Sequence, residues 1–172
     1  MSYIKVNEPL NRIKLEDILV EFVHGITNYK ENCVRPAYQP ISPSLKQGDD
    51  ICVFHIAYEK EEGIWLPSEK IRSSRSVLSV NFYFYGEDSY THAREFLNGI
   101  WLEHNRYELI KNGLNVMSVG TLYEIPENIN EIDFMRHDLK VKFSLVRNID
   151  IDTPTFKEFQ DISINNGGTR WH

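Results

Sequence analysis

Cysteine is scarce. Only Cys33 and Cys52 occur, far apart and without a CxxC pattern, so no zinc site is expected. Both stand in apolar, strand-like surroundings, which favours buried free thiols over a disulfide. No apolar run approaches the roughly 20 residues of a bilayer-spanning helix. The N-terminus lacks a basic-then-apolar signal pattern, so an intracellular protein is expected. Glycine never clusters as GxGxxG or GxxxxGK[ST], which leaves no visible phosphate cradle. Positive charge is in deficit too. The net charge of -6 argues against a protein that grips nucleic acid through a basic surface.

What the chain has is the composition of a soluble globular domain. Apolar residues make up 41% and charged residues 26% of 172, enough for one real core and too apolar for disorder. The stretch from Val77 to Leu102 organises the rest. Leu78, Val80, Phe82 and Phe84 alternate with Ser79, Asn81, Tyr83 and Tyr85, the mark of a strand with one dry face. Gly86 breaks the strand, and Glu87-Asp88-Ser89 offers acceptors for the free N–H groups of a helix start. Ala93, Phe96, Leu97, Ile100 and Trp101 then recur at helical spacing. The alternation and the stripe predict Phe82, Phe84, Phe96, Leu97, Ile100 and Trp101 as core.

Around this centre the chain reads in order. Pro9 discourages regular structure in residues 1–10. Leu15, Ile18, Leu19, Phe22 and Val23 predict a helix from about Lys14 to His24. Val34 to Tyr38 suggests a short strand cut by Pro36, and residues 39–44 a stiff polar connection. Asp50 to Tyr58 is too apolar to have a wet face, which predicts a central strand. Residues 59–73 read as a long hairpin arm or loop with Trp65 and Leu66 near its tip. Such residues either fold back on the core or meet another chain.

Asn112-Gly113 predicts a turn, Leu114 to Leu122 a strand with Gly120 as a weak point or bulge, and Tyr123 to Ile132 a loop stiffened by Pro126. Leu139, Val141, Phe143 and Leu145 alternate with Asp138, Lys140, Lys142 and Ser144, a strand with one charged face; Val141 and Phe143 join the predicted core. Residues 159–164 alternate briefly as an edge strand. Residues 165–172 have the composition of a tail. The expected architecture is α+β: a mainly antiparallel sheet with two helices on one face and a projecting arm. Residues 1–164 are expected to form one domain.

Nothing in this reads as an active site. Six histidines fall outside any metal spacing, and GxSxG is absent. His92 and His104 are placed on one helix, three turns apart. His55, inside an apolar strand, is expected to be a hydrogen-bonded core residue. His137 and Asp138 are neighbours on a strand and point to opposite faces, which excludes a dyad. The loop carboxylates Glu61, Glu62, Glu124, Glu127 and Glu131 read as solvated surface. The expectation is no catalytic, cofactor-binding or metal-binding residue.

The order of signals nevertheless has a likeness. The block VNFYFYGEDSYTHAREFLNGI resembles the strand-then-helix centre of tailed-bacteriophage neck or tail terminator (tail-completion) proteins. Tyr85, Gly86, Asp88 and Ala93 match its strand end, acidic turn and buried alanine. Gly113-Leu114-Asn115-Val116 is similar to the strand that follows, and Met135 to Leu145 and Phe159 to Ile164 to the closing strands. The N-terminal helix and Val34 to Tyr38 agree in place, whereas residues 59–73 and 165–172 have no counterpart.

The resemblance implies an α+β subunit of a six-fold ring on the head-facing end of the tail tube. Such a ring stops tube growth, offers a docking surface to the head connector or adaptor, and lets DNA pass. The implied partners are copies of the chain, the tail tube protein, the connector and, in a contractile tail, the sheath. The implied location is the virion neck, after assembly in the bacterial host cytoplasm. A ring subunit needs two complementary surfaces. Trp65 and Leu66 on the arm and Arg170, Trp171 and His172 at the end of the tail are the candidate contacts. Three other readings stand beside this one: a tail tube or adaptor protein, a non-viral dimeric α+β binding module, and a small hydrolase built around His55 or His137.

Overall fold

A computed structural model describes residues 6–7, 11–30, 32–39, 49–68, 71–129 and 132–151. In chain order these form β1 (Val6–Asn7), α1 (Arg12–Ile26), β2 (Val34–Pro36), β3 (Ile51–Ser68), β4 (Ile71–Tyr85), α2 (Ser89–Gly99), α3 (Glu103–Lys111), β5 (Leu114–Val119), β6 (Tyr123–Ile129) and β7 (Ile132–Ile151). One sheet runs β1-β7-β4-β3-β2, and β5 and β6 also pair with β7. Only β2 and β3 run parallel. The fold is α+β, as the sequence leads one to expect.

The alternation in β4 explains its place between β3 and β7. Phe82 pairs with Phe54 on one side and Leu139 on the other; Val80 pairs with Ile56 and Val141. Directly paired residues share a face, so these rows make one apolar surface. Helices α1 and α2 cover it with Leu15, Leu19, Phe22 and Val23 from the first and Ala93 and Phe96 from the second, joined by Ile100 at its C-cap. The two helices approach closely at Gly99, where a Cβ would come within 2.3 Å of Ile26 Cγ2.

Helix α1 is capped by Asn11, whose Oδ1 accepts the Lys14 N–H at 3.0 Å. The acidic turn before α2 works differently from the sequence expectation. Asp88 makes no side-chain cap; Asp50, at the foot of β3, accepts the Asp88 N–H at 2.9 Å. Gly86 has φ +109°, and a Cβ there would lie 2.1 Å from Asp50 Oδ1. The glycine therefore makes room for a cap that comes from 38 residues earlier in the chain.

Several local expectations fail, each for a physical reason. The second helical stretch is two helices. The Gly99 carbonyl at the end of α2 accepts the Leu102 N–H at 3.1 Å and Asn105 Nδ2 at 2.9 Å, and the chain turns before α3. Trp101 therefore leaves the stripe and is 47% exposed, not core. His92 and His104 lie on different helices. Residues 123–129 form strand β6 despite Pro126, because a strand paired with β7 alone needs ladder bonds on one side only. The irregularity in β5 falls between Val116 and Ser118, and the strand ends before Gly120, whose N–H donates to the Lys140 carbonyl. Val6–Asn7 pairs with β7 in spite of Pro9.

The 59–73 segment is a hairpin: β3 and β4 stay paired to Ser68 and Ile71, and β7 runs beside β4 to the same end. Beyond the three residues of β2, no strand among the described residues pairs the outer edge of β3. Its other face is not dry, since His55 and Tyr58 are exposed there. Residues 159–164 and most of the 39–44 connection lie outside the described residues.

Candidate assembly surfaces

The chemistry-bearing side chains are mostly buried and engaged in holding elements together. Ser89 Oγ and His137 Nδ1 stand 3.1 Å apart, but the two residues are 1% and 4% exposed, and the Tyr90 ring packs on the imidazole at 5.4 Å. Ser89 is the first residue of α2, so the pair fastens that helix start to β7. Asp138 turns to the opposite face, as the strand alternation requires, and binds Arg136. His55 is exposed on that same face, which corrects its expected place in the core.

His92 stacks on Tyr29 with ring centroids 4.2 Å apart and approaches Glu95 Oε2 at 3.4 Å. Cys33 and Cys52 are free and buried, and burial raises both thiol pKa values. Burial likewise raises that of Tyr29. These groups stay protonated and unreactive. Among the described residues no three His, Cys, Asp or Glu side chains are grouped to hold a metal ion. No described helix is long and apolar enough to cross a membrane.

The accessible features are surfaces. On the sheet face away from the helices, Arg136 binds Asp138 through two nitrogens, at 2.7 and 3.1 Å, and Glu127 at 2.8 Å. Its guanidinium lies over Tyr83 and Tyr85, at 5.3 and 5.9 Å from their ring centroids. This planar fork locks β6, β7 and β4 together on one face.

Further along, the arm and the end of α3 enclose a groove of about 720 Å³ lined by Trp65, Arg75, Ile110, Lys111, Leu114 and Val146. Trp65, Ile110 and Val146 are 45%, 51% and 40% exposed, so the groove is an open apolar patch with cations at its margin. A second groove, of about 320 Å³, lies between α1 and α3 and carries Glu21, Glu108 and His104.

These exposed patches are features that another chain could meet. The sequence pattern that defines the family described as "Phage neck terminator protein" matches residues 14–168. The chain belongs to that family. No curated protein matches it. Membership makes it a structural protein of the phage neck, located in the tail or neck of the virion and in contact with other head or tail proteins.

The structure puts only one of this terminator's five expected contact residues on view. Trp65 sits half-exposed in the arm groove. Leu66 continues β3, but its side chain lies outside the described residues, as do Arg170, Trp171 and His172. The sequence reading missed Ile110 and Val146, the groove partners of Trp65. Val146 lies just past the legible alternation of 138–145, Ile110 lies in a stretch that neither stripe nor alternation reached, and their convergence depends on α3 ending beside β5.

Proposed function

We propose that this neck terminator forms a ring, a hexamer by the family resemblance, on the head-facing end of the tail tube. The ring closes the tube, joins it to the head connector, and lets DNA pass through its lumen. It works by shape, with no bond made or broken. Residues 1–164 act as one domain with the 59–73 arm as its contact device, and residues 165–172 serve as a tail. Trp65 and Leu66 contact a neighbouring subunit or tail protein, and Arg170, Trp171 and His172 anchor the tail on a partner.

Family membership carries the reading, and the half-exposed Trp65 over an apolar groove supports it: a closed ring needs unlike, complementary patches on each subunit. The test is Trp65→Ser with Leu66→Ser, read by light scattering and by completion of particles in infected cells. A folded monomer that leaves tails unjoined is expected. Unchanged ring formation and phage yield would sink the assignment of the arm.

A further inference from the structure

The net charge of -6 conceals a segregated surface. On the sheet face away from the helices, four successive cross-strand rows read Lys140–Asn81–His55, Lys142–Ser79–Tyr58, Ser144–Val77–Lys60 and Val146–Arg75–Gly63. Lys60, Arg75, Lys140 and Lys142 are all exposed. Among the described residues none of the four forms an ion pair. No acid occupies these rows. Asp138, one row away on this face, is bound to Arg136; Glu59 and Glu61 flank Lys60 on the opposite face, paired with Arg147 and Arg72, and Glu62 lies in the bulge of β3. Rows two residues apart are about 6.8 Å apart, so the strip runs for about 20 Å.

We infer that this strip is the face the subunit turns to DNA, where its cations touch backbone phosphates without reading sequence. The inference rests on the ring reading above, to which it adds the lining of the lumen. Two observations favour a nucleic acid over a protein occupant. The strip is of one sign. Its cations are mainly lysines, which are depleted at the core of protein interfaces but suit phosphates as mobile point charges. The β4 side chains between them, Asn81, Ser79 and Val77, are half-buried or buried, and the strip's last rows run into the Trp65 groove, which Ser144, Arg75 and Val146 also line. Four weak contacts per subunit within an acidic protein centre a duplex without holding it fast.

Binding of the full-length protein to a short linear duplex of mixed sequence, followed by fluorescence anisotropy, tests this. One engaged subunit, with four phosphate contacts, should lose about 100-fold in affinity between about 50 and about 200 mM salt, and a ring that engages several should lose more. Lys140→Glu with Lys142→Glu should roughly halve the slope of log affinity against log salt and weaken binding at low salt. Arg94→Glu, on the exposed side of α2, should change neither.

Salt-independent binding, or none, overturns the inference, as does a double variant that binds like the parent. Loss of the oligomer in the double variant, read by light scattering, also overturns it, because the strip would then be a contact between subunits. A parent protein that stays monomeric yet binds DNA through the strip sinks the ring and keeps the phosphate contacts.

Discussion

Replacing Phe96 by Ala removes the ring on which the core converges. Phe96 is fully buried, and its centroid lies 4.9 Å from Phe82, 5.8 Å from Phe22 and 5.9 Å from Phe84, so α1, α2 and β4 all meet there. A buried Phe→Ala change costs about 3–5 kcal/mol, from lost transfer energy and the cavity left behind. The three ring contacts, each worth about 0.5–1.5 kcal/mol beyond area, place this site at the upper end.

Trp101, five residues on and of the same hydrophobic character, is 47% exposed, with the Arg106 guanidinium 6.0 Å from its ring as a neighbour. Trp101→Ala should cost about 1 kcal/mol or less. For a chain whose total stability is about 5–15 kcal/mol, the first change is severe and the second minor. Urea unfolding followed by circular dichroism measures both. The Phe96 variant should unfold at a midpoint lower by at least about 6 °C in a parallel thermal scan, at about 2–4 °C per kcal/mol. Equal losses in the two variants would refute the placement of Trp101 outside the core and the break between α2 and α3.

The remaining predictions concern two carboxylates. Asp50→Ala should destabilise by about 1 kcal/mol and speed hydrogen exchange at the Asp88 amide, while Asp50→Asn, which keeps an acceptor, should lose less. Unchanged Asp88 protection in Asp50→Ala would show that another group caps α2. Glu59 is held below the usual carboxylate pKa by hydrogen bonds from Arg147, one of them 3.0 Å from Nη2 to Oε2. A depressed folded-state pKa gives stability that is present above the unfolded value, about 4.3, and is lost as pH falls through the folded one. Glu59→Gln should therefore flatten the acid limb of the stability profile below about pH 4, measured by denaturation at a series of pH values.

How much of this was legible beforehand differs by element. The alternation in 77–85 and 138–145 and the stripe in 15–23 specified strands, a helix and their dry faces without reference to anything else. Those assignments hold: Phe82, Phe84, Phe96, Ile100, Val141 and Phe143 are buried, and Leu97 packs partly buried against them. Trp101 and residues 123–129 misled, because a stripe does not announce where a neighbouring Asn105 will end the helix. Nor does a proline reveal that its strand will be paired on one side only. His55 misled because the first part of β3, residues 51–58, is apolar at both alternating positions, although only one of its faces meets the helices.

The sequence by itself decided periodicity and therefore which residues of each segment face inward, since that follows from local geometry of 3.6 or 2 residues per repeat. Tertiary structure alone decided what lies beside what. The cap that Asp50 supplies to α2, the groove joining Trp65 to Ile110 and Val146, and the line of cations from Lys140 to Arg75 each gather side chains from strands and helices distant in the chain. Sheet register and helix docking set those distances, and they are properties of the whole packed chain, which no window of the sequence contains.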